Sequence, residues 1–174
     1  MKKTLLSIFF LLAIYSTGKA QSSAYNGGGM LNVGIGIGTP YLGSLYTSSI
    51  PVNPTISFEK GIANGISAGG ELSYAGSKIY GINVNVIYVG ARGSYHLGQI
   101  VDLSPKADLY GGLGIGYVVV NVNDGAGDSA TASSGLGYGL YAGGKYYFAG
   151  STAVYAEVGY QSLSYLNIGI AFKF

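Results

Sequence analysis

Apolar residues recur at every second position along most of the chain. Leu31, Val33, Ile35 and Ile37 alternate with Asn32, Gly34 and Gly36, and Leu166, Ile168, Ile170, Phe172 and Phe174 alternate with Asn167, Gly169, Ala171 and Lys173. Side chains on a strand point to opposite faces in turn, so each such segment has one apolar face and one small or polar face. The alternation predicts eight strands, at about Met30–Gly38, Thr55–Ile62, Ile66–Ala75, Ile82–His96, Ala107–Val120, Leu136–Phe148, Thr152–Gln161 and Tyr165–Phe174.

The segments between them carry turn chemistry. Thr39–Pro54 holds three prolines, and Asn121–Gly135 is rich in Asp, Gly, Ser and Ala. These read as long loops at one end, with Gly76–Gly81 and Ser162–Ser164 as shorter ones. Leu97–Lys106 and Ala149-Gly150-Ser151 read as turns at the other end. At the first of the short turns parity favours a three-residue Ala63-Asn64-Gly65 connection that pairs Ile62 with Ile66, with Gly65 in the left-handed position it tolerates. The strand from Ile82 changes phase: Ile82, Val84 and Val86 share one parity, and Val89, Ala91, Gly93 and Tyr95 the other. Such a switch predicts a bulge or a strand end projecting beyond the rest.

The last strand has no later partner and must pair with an earlier one. Pairing with the first closes the sheet into an antiparallel up-and-down barrel. Composition says which way the barrel faces. Residues 1–20 have a basic start at Lys2 and Lys3, an apolar run from Leu5 to Ile14 and small residues at Gly18 and Ala20, the layout of a cleaved signal peptide. Residues 21–29 then form a loose lead-in, and 30–174 the barrel. Without Lys2, Lys3 and Lys19 there remain six basic and seven acidic residues, net −1, and no basic patch for nucleic acid. Thirteen charges over the 154 remaining residues are too few to cover a water-soluble domain. Yet no stretch after residue 20 approaches the roughly 20 apolar residues a spanning helix needs. A closed barrel is the other structure that satisfies every backbone group in lipid. The apolar faces therefore point outward, and the 31 glycines serve a crowded lumen. With no cysteine there is no disulfide, lipid attachment or thiolate metal site.

On this arrangement Glu59, Glu71, Arg92, Lys145, Glu157 and Lys173 point inward near the end that holds the short turns. Gly143 opposes Glu157, which makes Lys145 and Glu157 diagonal neighbours. Charges in a narrow lumen are expected to pair, giving a plug; a charged constriction in a small pore is the alternative. Lys60 faces lipid beside a turn and snorkels, unless a bulge shifts the register. His96, the single histidine, falls at the inner end of its strand as a rim residue, the wrong place for a lipid-modifying Ser/His/acid set at the outer leaflet. Metal-ligand spacing is absent, and runs such as Gly112-Leu113-Gly114-Ile115-Gly116 have period two and form no phosphate loop. No catalytic residue, cofactor or metal is expected.

Gly90-Ala91-Arg92-Gly93-Ser94-Tyr95-His96, Tyr110-Gly111-Gly112-Leu113-Gly114-Ile115-Gly116-Tyr117, Gly144-Lys145-Tyr146-Tyr147-Phe148, Tyr155-Ala156-Glu157-Val158-Gly159-Tyr160 and the ending Asn167–Phe174 occur in this order. In them the chain resembles the small outer-membrane β-barrel family, the OmpA/OmpX- and opacity-protein-like proteins. The family often has arginine where this chain has Lys145, which leaves Glu157 without the bidentate partner expected there. The resemblance implies an integral outer-membrane protein, embedded in outer-membrane lipid and lipopolysaccharide, a monomer with a structural or surface-interaction role. It also implies that the barrel-assembly machinery reads the terminal aromatics Phe172 and Phe174, and that an extracellular ligand would meet loops 39–54 and 121–135.

Overall fold

A computed structural model describes residues 27–38, 52–79, 82–99, 103–123, 129–161 and 163–174. The expected signal peptide, most of the lead-in and nearly all of the 39–54 loop lie outside them. Eight strands run in chain order: β1 (Gly29–Ile37), β2 (Val52–Ala63), β3 (Ile66–Ile79), β4 (Ile82–His96), β5 (Ala107–Asn123), β6 (Ser129–Ala149), β7 (Thr152–Gln161) and β8 (Ser164–Lys173). Each pairs antiparallel with its neighbours, and β8 returns to β1, closing the barrel. The seam runs from Met30↔Lys173 to Ile37↔Leu166. It is locked at its end by two backbone bonds, Gly29 N to Phe174 O at 2.8 Å and Phe174 N to Gly29 O at 2.9 Å.

The faces are those the alternation requires. Val33, Ile35, Ile56, Leu72, Val89, Leu113, Ile115, Leu140, Val158 and Ile168 are exposed on the outside. Asn32, Ser57, Glu59, Glu71, Arg92, Ser94, Glu157 and Asn167 are buried within. The exposed aliphatic belt is bordered by aromatics at both ends. Phe58, Tyr95, Tyr146, Phe148 and Phe174 lie toward the end where β1 begins and β8 finishes, and Tyr74, Tyr117, Tyr138 and Tyr165 toward the far end. This is the inverse of a water-soluble barrel, and it is the pattern of one that crosses a bilayer.

Strand lengths correct the predicted loops. β3 continues to Ile79, β5 to Asn123, and β6 begins at Ser129, so most of the expected 121–135 loop is paired strand. Similarly, Asn53 and Pro54 belong to β2. Crossing a bilayer takes about 9–11 residues per strand. β5 has 17 and β6 has 21, whereas β1 has nine, so β3–β6 project beyond the others at the far end. The loop reading failed because polar, β-branched and glycine residues on a projecting sheet have no apolar face to mark them as strand.

β4 contains no bulge. Its ladders to β3 and β5 run without interruption, and Val86, Tyr88, Arg92, Ser94 and His96 all point inward. What changes at its middle is the chemistry of the lumen. Ala75, Val86, Tyr88, Val118 and Leu163 form an apolar cluster inside the far half, with Val84 and Val120 packed against it. At the β2–β3 turn the expected register holds from Thr55↔Ser73 to Gly61↔Ser67. The closing pair is Ala63↔Ile66 instead of Ile62↔Ile66, because Ile62 is bulged out of the ladder. The bulge absorbs the parity conflict that a two-residue turn would otherwise create. Gly65 takes the left-handed conformation there, at φ 68°.

Candidate functional site

The lumen is built from tyrosines laid across glycines. A Cβ on Gly143 would sit 2.9 Å from the Tyr110 ring, and one on Gly112 or on Gly90 would fall within the Tyr141 or Tyr88 side chain. Tyr155 similarly covers Gly34 and Gly169. A bare backbone on one wall admits a large ring from the other, and so fills a narrow tube without widening it. Tyr88, Tyr110, Tyr141 and Tyr155 are all buried.

Arg92, from the middle of β4, is the hub of the polar half. Its Nε lies 2.9 Å from Glu59 Oε1, its Nη1 3.1 Å from Glu71 Oε2, and its Nη2 2.7 Å from Glu157 Oε1. Those carboxylates come from β2, β3 and β7, so one guanidinium ties four strands together. By angle, Glu59 Oε1 and Arg92 Nε lack a hydrogen-bond partner, yet they face each other as an ion pair. The pair distance is the better guide, since attraction between full charges depends weakly on angle. Tyr110 Oη donates to Glu157 Oε1 at 2.9 Å, Ser67 Oγ to Glu59 Oε2 at 2.6 Å, and the Tyr141 ring stacks 4.3 Å from the guanidinium carbon. Few lone pairs are left without a donor, as charges held away from water require.

Four of the six expected network residues therefore meet: Glu59, Glu71, Arg92 and Glu157. Gly143 does oppose Glu157, as parity required. Lys145 does not pair with Glu157. Its Nζ lies over the Tyr110 ring at 4.5 Å and contacts Met30 Sδ at 3.5 Å, and it makes no ion pair within 4 Å among the described residues. Arg92 already occupies Glu157, and the Tyr110 ring stands beside it. Lys173 is also outside the network, half-buried at the barrel's end with its Nζ 4.7 Å from the Tyr147 ring.

His96 is at the expected end of β4 but is no rim residue, being 2% exposed. Its Nδ1 lies 2.9 Å from Asp108 Oδ2, and its Nε2 3.0 Å from Ser67 Oγ. The order Ser67, His96, Asp108 is that of a hydrolytic triad. The surroundings oppose that chemistry: Ser67 is fully buried, and its hydroxyl hydrogen is directed at Glu59. Sequence reasoning missed Asp108 as a member of this network, although its inward parity was visible. It also gave no sign that β3, β4 and β5 would bring a serine, a histidine and an aspartate into one line.

The contacts form one line, Glu59–Ser67–His96–Asp108, in which Ser67 gives its hydroxyl hydrogen to Glu59 and Asp108 faces Nδ1 of the imidazole. The lumen buries Glu59, Glu71, Asp108 and Glu157 against Arg92 and Lys145.

No metal-binding group of three or more His, Cys, Asp or Glu occurs among the described residues. A depression of about 670 Å³ lies between β4, β5 and β6, bordered by exposed Leu113, Ile115, Tyr138 and Leu140. It belongs to the outer, apolar face and not to the charged lumen.

No protein-family model matches the chain, and no curated protein does. Solved structures do. Neisserial surface protein A is similar at 16% identity and a TM-score of 0.58, over 84% of this chain and 95% of that one. OprG of Pseudomonas aeruginosa gives 11% identity and 0.58 over 88% and 98%. Ail, the attachment invasion locus protein of Yersinia pestis, gives 15% and 0.53 over 86% and 99%. The fold is that of the small eight-stranded outer-membrane barrels. At these identities the likeness extends to architecture alone, and the lumen contacts above belong to this chain.

Proposed function

We propose that the chain is an integral outer-membrane protein, exported by its signal peptide, whose lumen is closed and whose role is structural or surface-interacting. The observation that carries this reading is the filling of the barrel from both halves. Arg92 and its three carboxylates span the polar half, and the Tyr88–Val86–Val118–Leu163 cluster occupies the far half. Solutes would have to displace a desolvated ion cluster and then an apolar one. The aliphatic belt between aromatic borders supports burial in lipid, with the projecting part of β3–β6 outside the cell. In this reading the protein is a monomer inserted by the barrel-assembly machinery through Phe172 and Phe174.

A surface that reaches beyond the bilayer suits contact with other molecules, and one similar protein, Ail, is named for attachment and invasion. Lipid modification is disfavoured by the position of His96, at the end opposite the projecting strands, and by the burial of Ser67. Single-channel recording of refolded protein in planar bilayers tests the closed lumen: silence supports it, and stable openings favour the pore.

A further inference from the structure

The far half of the lumen is filled by five side chains, and one of them is held differently from the rest. Ala75, Val86, Tyr88 and Val118 stand on β3, β4 and β5, whose ladders run unbroken through these positions. Leu163 is buried against them, yet it lies between the end of β7 and the start of β8. Its carbonyl accepts from Asn53 Nδ2 at 2.5 Å, and the same amide donates to the Gly38 carbonyl at 2.8 Å. One side chain of β2 therefore fastens Leu163 to the far end of β1.

The hairpin that carries Leu163 is irregular. Between Val158↔Leu166 and Gln161↔Ser164 the register shifts, with two residues of β7 against one of β8. Such a bulge interrupts the ladder and bends the strand. Gly159, within it, takes φ 143°, a conformation that side chains rarely adopt. Beside Leu163, two buried amide atoms have no hydrogen-bond partner among the described residues, Asn53 Oδ1 and Gln161 Nε2. A buried polar atom without a partner keeps its full desolvation cost, and water reaching it removes that cost.

We propose that Leu163 is a withdrawable stopper in the far mouth of the barrel, latched by Asn53, and that its withdrawal wets the far half. The inference rests on the closed-lumen reading above and adds which part of the filling moves. Apolar contact and the latch hold the leucine in, the bulge lets the hairpin bend, and the two orphan atoms take up the water that enters. Tyr88 and the Arg92 hub stay on their strands, so the withdrawn state is a wet vestibule and no channel.

The full mature chain has no cysteine, so a single one can be introduced cleanly. Leu163→Cys and Val118→Cys are folded in detergent micelles, where both barrel ends meet solvent, and treated with a small charged methanethiosulfonate. The heat-dependent electrophoretic shift checks that each is folded. Leu163→Cys should be modified at least about tenfold faster than Val118→Cys, although both positions are buried. Asn53→Ala should speed the reaction at residue 163 about tenfold again, as loss of one hydrogen bond implies, and leave residue 118 unchanged. Hydrogen exchange of the unsubstituted chain needs no variant: the Leu163 amide should open about tenfold more often than those of Val86 and Val118. Equal protection of residues 163 and 118 by either measurement would overturn the stopper and leave the closed lumen standing. No change in Asn53→Ala would overturn the latch. Rapid modification of both cysteines would overturn the closed lumen as well.

Discussion

Arg92 on β4 reaches across the lumen to Glu157 on β7, Nη2 to Oε1 at 2.7 Å, between residues 65 positions apart in the chain. The contact joins opposite walls of the barrel, and the same guanidinium holds Glu59 and Glu71. Arg92→Met would leave three buried carboxylates facing one another without their cation. We predict a loss of about 3–5 kcal/mol in urea unfolding from lipid vesicles. Arg92→Lys should recover only part of it, because an ammonium cannot reach three carboxylates from one planar group. Combining Arg92→Met with Glu71→Gln and Glu157→Gln should restore more stability than the separate effects add up to, which a mutant cycle measures.

Ser67 and Asp108 act on the same imidazole. Ser67→Ala and Asp108→Asn are each expected to cost about 1–3 kcal/mol by leaving a buried polar group unmatched. Their effects should not add, since either change already breaks the line Glu59–Ser67–His96–Asp108. Additive losses in the double variant would argue that the line is not one unit. Neither change should alter lipid turnover, which thin-layer analysis of the surrounding lipid would reveal.

Glycines at adjacent positions separate the two faces of β3. A Cβ on Gly69 would fall on the Phe58 carbonyl oxygen, whereas one on Gly70 meets nothing closer than the Gly90 oxygen at 3.5 Å. Gly69→Ala should therefore prevent closure, and Gly70→Ala should fold within about 0.5 kcal/mol of the wild type. The heat-dependent shift of folded barrel on electrophoresis distinguishes the two. If both substitutions were tolerated alike, the inward placement of residue 69 would be wrong.

Phe174 contributes to the seam through its backbone pair with Gly29 and through its ring, 6.0 Å from that of Phe58. Removing it should slow insertion by the assembly machinery more than spontaneous refolding into short-chain lipid vesicles. Equal insertion with and without Phe174 in the reconstituted machinery would count against its role as an assembly signal.

The strands, their faces and the closing seam were legible in the sequence because two-residue periodicity encodes them directly. The end of each long strand was not. On β5 and β6, residues such as Asn121, Asn123, Ser133 and Ser134 have loop composition, but they pair outside the apolar belt, where no apolar face is needed. The Arg92 hub could be approached by parity, since Glu59, Glu71, Arg92 and Glu157 were all placed inward near one end. Which cation meets which acid was beyond parity: Lys145 is close to Glu157 in register, but Arg92 is longer, planar and reaches it from the opposite wall. Of the two meanings open to the change of phase in β4, the projecting strand end holds and the bulge does not: Val86 faces the apolar lumen and Asn83 is exposed, an assignment parity alone leaves open because valine looks alike facing lipid or an apolar lumen.

Conductance of the refolded wild-type chain in a planar bilayer tests the closed lumen most directly. No stable openings are expected over the range of potentials the bilayer withstands, either in the wild type or in Arg92→Met, whose far half stays closed by the Tyr88–Val86–Val118–Leu163 cluster. Stable wild-type openings whose conductance shifts in Glu157→Gln would contradict the closed lumen.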